Sequence, residues 1–241
     1  MTNSDYTLAA LAVAVLVGTL SPMEGRAQAE DNVTFAKGLF DQLEYAPAPS
    51  ERPVSLEAVG WVGGDFNRLW LRAEGEQSTL DMAGDGELEA LYGRLISPYF
   101  DVVGGARLDR SWEDGGRTRG HLAVGVQGRA PYQFEVEPTL YVSQNGNVSA
   151  RFEAAYSFLF TQRLVLEPEV EVNAALQDVP EWGVGAGVNN LNLGLRMRYE
   201  FHRKFAPYVG YDHDWRFGET ADFAGGDIGD GAFVFGVRMW R

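Results

Sequence analysis

From Asn67 to the C-terminus, apolar and polar side chains take turns along one stretch after another, and no other property limits the fold so tightly. In Asn67–Glu76, Leu69, Leu71 and Ala73 alternate with Arg68, Arg72 and Glu74. In Arg119–Arg129, Leu122, Val124 and Val126 oppose His121 and Gln127. Further on, Leu164, Leu166, Val170 and Val172 oppose Glu167, Glu169, Glu171 and Asn173. Period two is the spacing of a β-strand whose faces meet different surroundings. The connectors sort by length as well. Short ones fall near Ser97-Pro98, Ala130-Pro131, Thr161-Gln162 and His202-Lys204. Longer ones fall near Gln77–Gly86, Ser111–Thr118, Gln144–Asn147, Leu176–Ala186 and Gly218–Gly229. Tight turns on one rim and longer loops on the other belong to closed antiparallel barrels of the outer membrane. The sequence therefore predicts an all-β, closed antiparallel transmembrane β-barrel, located in the cell outer membrane.

Connector parity supplies a strand count. A C-terminal strand over Gly231–Trp240 ends on the periplasmic side, and counting back places the first strand near Asp65. Val54–Trp61 has strand character, but including it gives eleven, and single-chain bacterial barrels have even numbers. The expectation is about ten strands in residues 65–241. Residues 30–64 are then a periplasmic N-terminal segment reaching the barrel mouth, with a linker around Pro47, Pro49 and Pro53 and a turn or two of helix in Phe35–Leu43. Glu87–Ile96 breaks the alternation, because Arg94 shares parity with Leu88, Ala90 and Tyr92; a bulge would reconcile it. Residues 1–29 read as a signal peptide, from the apolar run Leu8–Leu20 and the cleavage site Ala27-Gln28-Ala29.

Composition excludes several classes. A formal charge of −14 argues against a nucleic-acid partner, which calls for a basic face. With no cysteine, disulfides and thiolate metal sites are unavailable. The inward set by parity carries many charges. Arg68, Arg72, Arg107, Arg151, Arg196, Arg198, Arg216 and Arg238 face Glu74, Asp101, Glu135, Glu137, Glu153, Glu167, Glu169, Glu171, Glu200, Asp212 and Asp214. In so narrow a barrel these side chains fill the interior, and buried charges there must pair.

Several runs resemble the copper resistance protein B family of outer-membrane proteins. They include Gly63-Gly64-Asp65-Phe66-Asn67-Arg68-Leu69-Trp70-Leu71, Glu89-Ala90-Leu91-Tyr92-Gly93-Arg94 and Ser97-Pro98-Tyr99-Phe100-Asp101. Ala130-Pro131-Tyr132, Thr161-Gln162-Arg163-Leu164 and Phe205-Ala206-Pro207-Tyr208-Val209-Gly210 extend the likeness over residues 58–241. The resemblance implies copper tolerance as the role, with copper bound or conducted across the outer membrane, and a periplasmic multicopper oxidase as partner. It also implies soft ligands in a Met- and His-rich N-terminal region. Residues 30–57 contain neither Met nor His, so any copper site here must come from the barrel.

Imidazole with oxygen suits copper(II). His121 and His213 both fall near the extracellular mouth, with Asp212 and Asp214 beside His213 and Met82 in the first outer loop; these are the candidate metal ligands. By parity His213 points outward, so the bland alternative is that neither histidine holds a metal. Glu167, Glu169 and Glu171 form a candidate cation path in the lumen, since three like charges on one strand face repel unless arginines or a passing cation counter them. Two other classes stay open: a small structural barrel without a metal substrate, and an outer-membrane lipid hydrolase, for which Ser111 and Ser143 are the distant nucleophile candidates.

Overall fold

The computed structural model describes residues 34–47, 53–80, 83–112, 116–202, 204–226 and 228–240. The expected signal peptide and Met82 lie outside the described residues. Thirteen strands form a single sheet. They are β1 (Phe35–Tyr45), β2 (Pro53–Gly63), β3 (Asn67–Ser78), β4 (Gly84–Ser97), β5 (Phe100–Ser111), β6 (Arg117–Arg129) and β7 (Glu135–Ser143). Then come β8 (Val148–Ala155), β9 (Phe158–Leu159), β10 (Leu164–Ala175), β11 (Gly187–Tyr199), β12 (Phe205–Arg216) and β13 (Gly229–Trp240), with a short helix α1 (Gly218–Phe223) before the last.

Neighbours pair antiparallel, and β13 pairs with β1, so the sheet closes on itself. The two-residue β9 continues the line of β8 against β10 in unbroken register, from Glu169↔Ala155 to Val165↔Leu159. Between them Tyr156 faces Pro168, which has no N–H to give back, and only Tyr156 N donates to Pro168 O at 3.1 Å. Twelve strands therefore make the wall.

Ten was two too few, and both missing strands lie in the expected periplasmic segment. Residues 35–45 are β1 and not helix, and β2 carries Val54–Trp61. The alternation in β1 is hidden by a bulge between Phe40 and Gln42. Asp41 and Gln42 both turn into the lumen there, Asp41 to Arg238 at 2.6 Å and Gln42 to Arg196 at 2.8 Å. An even count returns both described ends of the chain to the short-turn rim. The bulge expected in β4 lies beyond Arg94, between Leu95 and Ser97. Arg94 stays on the outer face with Tyr92, near the short-turn rim where a long cationic side chain reaches water. Tyr132 sits in the turn before β7 with φ 65.

The outer face is apolar: Leu122 is 70 % exposed and Phe233 69 %. Aromatic residues crowd the short-turn rim, among them Phe66, Tyr99, Tyr132 and Phe201, as an interfacial girdle requires. The core is inside the barrel. Leu91, fully buried, packs with Val103, Ala123 and Tyr141, and Trp70 closes over them.

Candidate functional site

Antiparallel register turns single inward acids into rows. On one wall Glu57 of β2 faces Glu74 of β3, Glu74 faces Glu87 of β4, and Glu87 faces Asp109 of β5. On the opposite wall Glu137 of β7 faces Glu153 of β8, which faces Glu171 of β10. Like charges directly opposite in a sheet repel. Arginines that reach over several strands relieve them.

Arg151 on β8 extends to the far wall. Its guanidinium donates to Glu74 at 3.2 Å and Glu87 at 2.8 Å, and lies 3.7 Å from Glu153 and 3.5 Å from Glu171. Arg72 on β3 reaches Glu137 on β7 and the Gln127 amide, at 2.5 Å, on β6. Arg196 on β11 is held by Glu44 at 2.7 Å, Glu169 at 3.0 Å, Asp212 at 2.7 Å and Gln42 at 2.8 Å. Gly194 makes room for it, since a Cβ there would collide with the guanidinium. Nearer the short-turn rim, Arg198 and Arg238 share Glu167 at 2.6 and 3.2 Å.

Towards the long-loop rim the lumen opens into a chamber of about 730 Å³. Its walls include Asp85, Glu87, Arg107, Asp109, Arg119 and His121. Two long loops lean over it. Arg119 stacks on Trp182 with 4.6 Å to the ring centroid, and Arg117 donates to the Glu181 carbonyl. Thr220 of α1 accepts from the Gly185 N–H at 2.9 Å, tying one loop to the other.

The predicted rim cluster is dispersed. His121 is buried in the chamber wall, with Nε2 2.9 Å from Asp109, which also accepts from Arg107 at 2.6 Å and Arg119 at 3.2 Å. Nδ1 of His121 is buried and has no hydrogen-bond partner. His213 is on the outer face between Tyr211 and Trp215, its ring 4.0 Å from the latter. Asp212 turns inward to Arg196, and Asp214 to Arg216 at 3.4 Å and Asn190 at 3.2 Å. His121 and His213 thus occupy opposite faces of the wall. Among the described residues no group of three or more His, Asp or Glu side chains is arranged to hold a metal ion.

Nor is there a nucleophile–base pair at His121. Ser143 is its cross-strand partner, yet the Ser143 hydroxyl accepts from the N–H groups of Asn145 and Asn147 and caps the turn. Glu167, Glu169 and Glu171 are each countered, by Arg198 and Arg238, by Arg196, and by Arg151. The residue that sequence reading missed is Glu57. It makes no ion pair or hydrogen bond among the described residues, and the strongest charges acting on it are the carboxylates of Asp41, Glu169, Glu74 and Glu153. The strand character of Val54–Trp61 was the available signal.

The family described as copper resistance protein B precursor (CopB) matches residues 34–241, the whole described barrel. The chain belongs to the copper resistance protein B family. Copper resistance protein B of Escherichia coli is 38% identical over 211 residues, covering 84% of this chain and 68% of that protein. The homolog from Pseudomonas syringae pv. tomato is 37% identical over 216 residues, covering 88% and 72%. Among solved structures, the NanC porin superposes with TM-score 0.52 at 11% identity, covering 86% of this chain and 99% of the porin. The KdgM porin gives 0.50 at 12%, covering 86% and 98%. At such identities the likeness concerns the fold: the chain is a closed β-barrel of the outer-membrane type.

Proposed function

We propose that the barrel handles copper at the outer membrane, receiving the ion in the chamber at the long-loop rim and passing or holding it among the lumen carboxylates. The match to copper resistance protein B over residues 34–241 carries this reading. The lumen supports it, because at its centre the four carboxylates Glu74, Glu87, Glu153 and Glu171 share Arg151, with Arg107 also on Glu87, while Glu57 has no ion pair among the described residues. Such an interior favours cations over anions. Of the residues first considered, Glu169 and Glu171 fit the reading best. His121 offers a free ring nitrogen, but Arg107 and Arg119 on its Asp109 make that corner electropositive.

A strain lacking the gene is expected to lose copper tolerance or to change its cellular copper content, and the wild-type chain should restore both. Unchanged tolerance and copper content in the deletion strain would overturn the reading. The ion pairs that fill the lumen favour a second one, a wall-stabilising barrel without a metal substrate, and that same result would select it.

A further inference from the structure

We infer that Arg151 is a lock: a tethered guanidinium that stands between the chamber and the carboxylates beneath it and closes the barrel to small cations. Three observations converge on this side chain.

The first is reach. Arg151 is anchored on β8 between its paired neighbours Thr139 and Asn173, yet its Nη atoms bond Glu74 on β3 and Glu87 on β4 across the lumen. It spans the bore, whereas most cross-strand pairs line it. The second is depth. Arg151, Glu87 and Asn173 line the chamber, while Glu74, Glu153 and Glu171, held by the same guanidinium, do not. Arg151 therefore forms part of the chamber floor, with the acid-rich interior behind it. Third comes charge. Among the described residues Arg151 is the one arginine paired with Glu74, Glu153 and Glu171, and Glu87 alone of the four has a second, Arg107. Its guanidinium occupies the place a mobile cation would take between the two carboxylate rows.

Removing that charge should do two things together. It clears the floor of the chamber, and it leaves a band of carboxylates, Glu57 among them, whose field draws cations in and excludes anions. The lock does not depend on the ion being copper, so it can be tested with potassium chloride alone.

The test is single-channel recording of refolded barrels in planar bilayers, using only protein that migrates as the folded form on unheated gels. Arg151→Gln should raise conductance severalfold over wild type, and a salt gradient should give a reversal potential on the cation-selective side. Arg151→Lys keeps a charge on a tether and should stay near wild type. A triple variant, Arg151→Gln with Glu74→Gln and Glu171→Gln, removes the stranded charges. It should fold where the single variant does not, conduct more than wild type, and lose much of the cation preference. Wild-type conductance in both Arg151→Gln and the triple variant, or an open Arg151→Gln pore preferring anions, would overturn the lock. Copper tolerance of a strain carrying Arg151→Gln is read separately. An open pore in a strain whose copper tolerance never depended on the gene would keep the lock and remove the copper reading.

Discussion

Between β3 and β7 the inward side chains include one apolar cluster, Trp70, Leu91, Val103, Ala123 and Tyr141, set among ion pairs such as those of Arg72 and Arg107; between β10 and β1 the filling is done by Arg196, Arg198 and Arg238 with their acids. Both sides narrow the bore, but they tolerate error differently. Apolar contacts are non-directional and roughly proportional to the area buried, so a misplaced methyl group costs only its own share of contact, about 1 kcal/mol. A buried guanidinium that loses its partners, or acids that lose their guanidinium, retains the full cost of desolvation. Precision is therefore demanded of the charged side. Glycines make room on both sides, Gly194 beneath Arg196 and Gly93 beside Trp70.

The largest expected effect comes from breaking the charged side at its centre. Arg196→Ala strands Glu44, Glu169 and Asp212 together and should cost about 4 kcal/mol in urea unfolding of the micelle-bound barrel. Neutralising those three acids in the same chain should recover most of that loss, because buried groups of similar shape without charge need no partner. A loss under about 1 kcal/mol for Arg196→Ala would show that water already solvates this side, and the contrast between the two halves would fail.

How much of this could be read in advance divides along similar lines. The alternation of Arg119–Arg129 and Leu164–Asn173 places their residues on the correct faces, since these stretches pair without a register shift, the one in β10 coming only after Asn173. It failed at β1, where the bulge puts Asp41 and Gln42 on one face and erases the period that identifies a strand. With β1 unread, parity alone then discarded β2. Three lumen acids went with them, Asp41, Glu44 and Glu57, so the partner of Arg196 and the unpaired carboxylate were both out of view. Pairing across the bore was hidden for another reason. Arg151 and Glu87 lie 64 residues apart, and no local pattern in the chain records which inward arginine will reach the far wall.

The apolar side provides the second comparison. Leu91→Ala removes a fully buried side chain from contact with Val103, Ala123 and Tyr141, and should cost about 3 kcal/mol by the same unfolding measurement. Unlike the charged side, no second substitution that merely neutralises a neighbour should restore it, whereas enlarging Ala123 into the cavity should. Recovery by neutralising Glu89, which accepts from the Tyr141 hydroxyl beside this cluster at 2.8 Å, would mean that polar strain governs both halves.

The smallest effect calibrates the other two. Arg129 donates to Glu135 at 2.6 Å, geometry as good as that of the lumen pairs, but the two side chains are 61% and 54% exposed. Short distance alone would rank this pair with Arg196–Glu44 at 2.7 Å. Solvent screening and the entropy of fixing two long side chains argue otherwise, and Arg129→Ala should change stability by less than about 0.5 kcal/mol, with that small effect fading at high salt. If the rim pair instead costs as much as Arg196, then pair geometry and not enclosure sets the energy of these ion pairs. The distinction between a charged side that must be exact and an apolar side that need not be would then lose its physical basis.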